Sequence, residues 1–234
     1  MITGAAFCPH PPVLVPDIAR RAAVDLAGLR AACRTTLQQV AAGCEHLVLL
    51  GSAQQTLVHT SRARGSFAGF GVPLEVGFAP DADGAIELPL SLAVGAWLID
   101  DALRTHPPVT AVSVAADFTS SRAADELRRL IDESRVGLVV MGDGSARRST
   151  AAPGYLDEHA VAFDDGVLEA LRAGDAAGLA DVDLDAAAAL LAAGAPAWRA
   201  AGALLRDRPV AADVSCYEAP YGVAYFVAHW TSRG

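Results

Sequence analysis

HLVLLG, His46 to Gly51, and GLVVM, Gly137 to Met141, decide the fold. Both are unbroken apolar runs, the pattern of strands covered on both faces rather than on one. Val109 to Ala115 is a third run of this kind, and Ile2 to Cys8 a fourth that stops at Pro9. Helical segments lie between them. Asp17 opens one to about Ala42, with Gly43 just past its end and Ile18, Ala22, Leu26, Leu29 and Cys33 along one face. Ser91 opens another to about Thr105, a third covers Arg122 to Ser134, and Asp157 opens a fourth that stops at Gly174. Two Ala-rich helices follow, at about 183–193 and 196–206, with Pro196 suited to a first helical turn. Asp213 to Tyr217 and Val223 to Trp230 close the chain as two strands around Pro220 and Gly222.

Strands alternating with helices place helices on both faces of a sheet. The expected fold is α/β: a single three-layer α/β/α domain over residues 1–234, its central sheet mixed because the closing strands form a hairpin. Ser52 to Pro89 is rich in Gly, Ser and Asp, and its apolar pieces Leu74 to Phe78 and Ala85 to Leu88 read as a hairpin around Asp81-Ala82-Asp83-Gly84. No linker or internal repeat divides the chain.

Composition narrows the function classes. With 53% hydrophobic and 19% charged residues, a buried core is assured and disorder is excluded. The net charge of -9, with every basic residue Arg, excludes a nucleic-acid partner, which needs clustered positive charge. Cys8, Cys33, Cys44 and Cys216 are scattered and form no C-x-x-C pair, so neither a zinc knuckle nor a disulfide scaffold is expected. Pro9, Pro11 and Pro12 break the N-terminus, and the apolar stretch Ala186 to Leu205 carries Pro196 and Arg199. A cytoplasmic protein without signal peptide or membrane span is expected.

In open α/β sheets, ligands bind beyond the carboxyl ends of the strands. Four segments fall there: Cys8 to Pro12, Gly51 to Gln55, Gly142 to Arg147, and Tyr217 to Gly222. His10, gripped between prolines, has the least backbone freedom among them and suits a metal ligand, a base or a loop cap. Gly142-Asp143-Gly144 lacks the Lys of a P-loop and the spacing of a dinucleotide loop, and does not read as a phosphate site. His46, His106 and His229 sit on or beside regular elements and read as parts of the scaffold.

FCPHPPVLVPDI (Phe7 to Ile18), GDGSAR (Gly142 to Arg147), EHAVAFDDGVLEALRAGD (Glu158 to Asp175) and EAPYGVAYFVAHW (Glu218 to Trp230) together resemble the catalytic subunit of class III extradiol dioxygenases. That superfamily includes DOPA dioxygenases and Memo proteins, and the resemblance spans nearly the whole chain. It implies a non-haem Fe(II) site of two His and one carboxylate, open to a catechol and O2. A further His then serves as acid/base during cleavage of the ring. Carried onto this chain, His10 matches the first metal His and Glu218 the carboxylate. Gln54 stands where the second metal His is expected. Ala146 stands where the acid/base His closes a Gly-Asp-x-Ser-His run.

A Gln carbonyl is a poorer Fe(II) ligand than imidazole, and Ala carries no proton. His59, five residues beyond Gln54, is the candidate replacement metal ligand, and His159 the candidate acid/base. Gln54, Asp143 and Ser145 remain as ligand-binding positions. Two functions follow: an extradiol-type enzyme acting on a small catecholic aromatic with Fe(II), or a catalytically silent relative that binds a small molecule or protein. The cofactor is Fe(II), another divalent metal, or none. Partners implied are a small aromatic molecule and a second copy or a partner subunit, with no nucleic acid and no membrane. His10, Gln54, Ser145 and Glu218 are expected to gather at one edge of the sheet.

Overall fold

The computed structural model describes residues 1–79 and 84–233. Among the described residues, nine strands and eight α-helices follow in chain order: β1 Ile2–Cys8, α1 Pro16–Ala19, α2 Ala27–Ala41, β2 His46–Ser52, β3 Leu57–His59, β4 Arg64–Ser66, β5 Glu75–Gly77, α3 Leu90–Ala102, β6 Val109–Val114, α4 Arg122–Glu133, β7 Val136–Met141, α5 Ala160–Ala173, α6 Ala176–Ala180, α7 Leu184–Ala189, α8 Ala195–Leu205, β8 Val210–Glu218 and β9 Tyr225–Ser232. The main sheet has seven strands in the order β3-β6-β2-β7-β1-β9-β8. Its centre, β6-β2-β7-β1, is parallel. Antiparallel β3 closes one side, and the β9–β8 hairpin closes the other. The expected mixed α/β sheet is present.

The continuous apolar runs are explained by cover on both faces. Along each central strand, alternate residues enter different cores. Phe7, Val48, Leu50, Leu138 and Val140 join α4, α5 and α8 on one side. Cys8, Leu47, Leu49, Val139 and Met141 join α2 and α3 on the other. These are the three layers. Trp198, Trp230 and Phe7 are at most 1% exposed, and each such side chain stabilises the fold by roughly 2–3 kcal/mol. Trp230 also donates its indole N–H to the Leu171 carbonyl at 2.8 Å, which removes the cost of burying that polar group. At the outer strand β8, exposure alternates residue by residue, as expected of one face packed and one in solvent.

Several local expectations change. The helix expected from Asp17 to Ala42 is interrupted: Arg20 adopts φ 53°, and a 3-10 turn over Arg20–Ala23 separates α1 from α2. No Gly or Pro marks that break. The expected hairpin between Leu74–Phe78 and Ala85–Leu88 does not form; β5 pairs with β4 instead, and Asp81, Ala82 and Asp83 lie outside the described residues. Ser91 lies inside α3 rather than capping it, and bonds the Ser52 carbonyl at 3.0 Å. Asp157 acts one step early: it accepts the His159 N–H at 2.9 Å, and α5 starts at Ala160. Gly43 and Gly174 do end their helices, both in left-handed backbone.

Burial holds the His46, His59 and His229 imidazoles below their ordinary value, with Glu87 and Asp213 opposing it at His59 and His229. The unfolded chain therefore takes up protons near pH 6.5 that the folded chain takes up only at lower pH. Their contribution to stability is complete above that value and is lost as pH falls. Asp143 and Asp164, pushed up by burial, act in the opposite sense at lower pH. The melting temperature is expected to fall between pH 7.5 and 5.5. A variant with Gln at all three histidines should show a flatter profile, and an equally steep one would remove these groups as the cause.

A candidate site at the carboxyl edge of the sheet

The strand ends bring four residues to one edge of the sheet. Cys8 pairs with Met141, Phe7 with Ala228, and Glu218 with Tyr225. Past the last paired residues of β1, the His10 backbone N–H bonds Asp143 Oδ1, and Asp143 and Glu218 both act on Tyr225 at the start of β9. Glu218 follows on β8, which runs in the same direction as β1. Asp143, His10 and Glu218 therefore lie at the carboxyl ends of β7, β1 and β8, with Tyr225 at the start of β9. Cys8, Tyr225 and Val227 all face the α2–α3 core, which sets the face of the site.

Asp143 holds the loop after β1. Its Oδ1 accepts the His10 backbone N–H at 2.7 Å, and the same oxygen lies 3.8 Å from His10 Nδ1. His10 is only 8% exposed, and its Nδ1 is buried with no hydrogen-bond partner. Burial pushes the Asp143 carboxyl up, and nearby His10 opposes that shift. Burial likewise pushes the Tyr225 phenol up, reinforced by Asp143, Tyr221 and Glu218, so these four groups share one polar neighbourhood. Glu218 Oε1 and the Tyr221 hydroxyl are, like His10 Nδ1, buried without a partner. Tyr221 falls in the segment Tyr217 to Gly222 but carried no assigned role, and Tyr225 escaped the sequence reading; the signal was the Y-x-x-x-Y spacing shortly after Glu218.

The Gly142–Arg148 loop is pinned from three sides. Gly142 N–H bonds the Cys8 carbonyl, Gly144 N–H the Ala224 carbonyl, Ala224 N–H the Ser145 carbonyl, and Gly194 N–H the Asp143 carbonyl, each at 2.8–2.9 Å. A Cβ at Gly144 would lie 2.7 Å from both Asp164 Oδ1 and the Phe226 ring, and one at Gly142 would overlap the Trp198 indole. The glycines are there for packing. Ser145 is fully buried, its N–H and hydroxyl both spent on Asp164 at 2.8 and 2.6 Å. Asp164 also receives Arg148 Nη1 at 3.2 Å, and that guanidinium bonds the Tyr217 hydroxyl, itself bonded to Asp165. Ser145, expected as a ligand-binding residue, thus anchors the loop from beneath. Arg148 is committed to Asp164 and leaves Glu218 free of it.

The other expected residues are placed apart. His59 lies in β3, paired with Ala111 of β6. β3 is four strands from β1 in the sheet, roughly 19 Å at about 4.8 Å per strand. His59 therefore cannot complete a metal site with His10. Gln54 is exposed, two residues past β2, whose carboxyl end is two strands from β1. His159 is a surface residue: its side chain is 78% exposed and its Nδ1 is 3.0 Å from Asp157 Oδ1. Ala146 is buried, its N–H on the Leu190 carbonyl and its own carbonyl on Gly154.

The donor set for iron is incomplete. His10 and Glu218 supply two atoms in want of a partner, but His59 is remote, and among the described residues no three of His, Cys, Asp and Glu converge as metal ligands. These residues do not fit the three-ligand iron centre that the resemblance implies. Nor is any helix among the described residues long and apolar enough to cross a membrane.

No protein-family model matches the chain, and no curated protein matches it. Among solved structures, the chain is similar to the uncharacterized protein JW3007 from Escherichia coli K12, at 16% identity over 98% of this chain and 99% of that one, with a TM-score of 0.44.

Proposed function

We propose that the chain is a silent relative of class III extradiol dioxygenases, binding a small hydroxylated aromatic through hydrogen bonds instead of cleaving it with iron. One observation carries this reading: His10 Nδ1, Glu218 Oε1 and the Tyr221 hydroxyl are buried without partners around Asp143 and Tyr225. An unpaired buried polar atom costs about 1–3 kcal/mol. Such atoms are completed by ordered water or by a ligand. A catechol supplies what they lack: two O–H donors for carboxylate oxygens and two oxygens that accept from an imidazole or a phenol.

Iron-dependent ring cleavage is the competing reading, with His10 and Glu218 as two of its three ligands. Binding separates the two without metal. Catechol titrated into chelator-treated protein should bind saturably in a calorimeter. Tyr221→Phe and Glu218→Gln should each weaken it about tenfold, the worth of one good hydrogen bond to a charged or buried group. Full affinity in both variants would remove the site from this edge of the sheet.

A further inference from the structure

A cleft opens on the α8 face of the sheet, opposite the face of the His10 site and beyond the carboxyl end of β6. It encloses about 240 Å³ and is lined by one stripe of α8, Pro196, Arg199, Ala200 and Ala203, and by Arg206 just past the helix end. Steps of three and four residues bring these onto a single helical face. The small Ala200 and Ala203 side chains leave the space between the two guanidiniums open. Opposite stand Phe118, only 2% exposed, and Leu184, which give the cleft an apolar floor.

The charges do not balance. Arg206 is 3.7 Å from Asp181, and both are at least half exposed. Half-buried Arg199 gives its Nη1 to the Val182 carbonyl at a long 3.4 Å, and among the described residues no carboxylate pairs with it. A guanidinium at an apolar wall is a ready fork for a planar anion. Asp181 on the rim repels species of higher charge. The volume, just under the usual range for drug-sized ligands, selects a small molecule.

We propose that this cleft is a binding site for a small organic monocarboxylate with an apolar body, held by Arg199 with its body over Phe118, Ala200 and Ala203. The site is separate from the His10 edge. β6 and β1 are three strands apart, roughly 14 Å, and the two sites lie on opposite faces of the sheet.

Benzoate, which lacks the hydroxyls suited to the His10 site, is the probe, titrated into the intact protein and followed by calorimetry and by NMR. One saturable site is expected, with benzamide and inorganic phosphate each binding at least about tenfold more weakly, as loss of a charge-assisted fork or of the apolar body requires. Arg199→Gln should weaken benzoate by a similar factor, and Ala203→Phe, which fills the cleft, should abolish binding while the protein stays folded by circular dichroism. His10→Ala should leave benzoate binding unchanged. Absence of saturable binding, equal affinity for benzamide or phosphate, full affinity in Arg199→Gln, or loss in His10→Ala would each overturn the assignment.

Discussion

Replacing Asp164 by Ala is expected to cost the fold about 3 kcal/mol, the low end of what removing one partner of a buried charge pair costs. Asp164 is fully buried and accepts from the Ser145 N–H, the Ser145 hydroxyl and Arg148. Its loss strands two donors of Ser145, which has no exposed surface, and a guanidinium that is only one-fifth exposed. Arg148 keeps its bond to Tyr217 and some solvent, which holds the cost to that end of the range. Asp164→Asn retains an acceptor oxygen and should cost nearer 1 kcal/mol. Urea unfolding at pH 7 reads both. The effect should also reach the site, because the same loop carries Asp143, whose carboxylate fixes the His10 backbone. Catechol binding should therefore weaken in Asp164→Ala under conditions where the protein remains folded. An Asp164→Ala protein with wild-type stability would show that the Ser145–Asp164–Arg148 network is incidental.

What the sequence disclosed follows the physics of cover. Runs such as Leu47 to Leu50 and Leu138 to Met141 are apolar at every position because both sides are packed, so the parallel centre was legible. The carboxyl-edge rule then located His10, Asp143 and Glu218 together. Three-residue strands left no comparable trace: β3, β4 and β5 lie in a Gly- and Ser-rich stretch, where pairing is decided by distant partners rather than by periodicity. The break at Arg20 was hidden because neither Gly nor Pro marks it, and none of residues 16–23 is buried, so no packing pattern announces it either. His59 looked close to Gln54 in sequence, yet β3 carries it to the far side of β6. Asp164 looked like an ordinary helical carboxylate. Only the fold shows that it anchors the Ser145 loop.

Protein loaded anaerobically with Fe(II) and then exposed to O2 with catechols is expected to produce ring-opened product at least about 10²-fold more slowly than the usual enzyme range of roughly 1–10³ s⁻¹. Two deficits compound. The acid/base position is Ala146, and missing proton transfer alone typically costs about 10²–10⁴-fold. The ligand set stops at two, because Gln54 is exposed and His59 is four strands away. Neither His159 nor Tyr225 offers itself as the base: His159 points to Asp157 at the surface, and burial holds the Tyr225 phenol firmly protonated. Gln54→His alone should leave Fe(II) affinity nearly unchanged, because residue 54 is exposed past the end of β2, two strands from β1. Ala146→His is a harder change. The residue is buried between Leu190 and Gly154, so an imidazole there should cost about 1–3 kcal/mol in overpacking. The unmodified protein is accordingly the decisive sample, followed by the visible absorbance of the yellow ring-opened product. Turnover within the usual range would refute the silent-relative reading and require a proton-transfer group other than His159. Saturable catechol binding without turnover would leave His10, Asp143, Glu218 and Tyr221 as a site that holds a catechol and lacks both a third ligand and a base to open it.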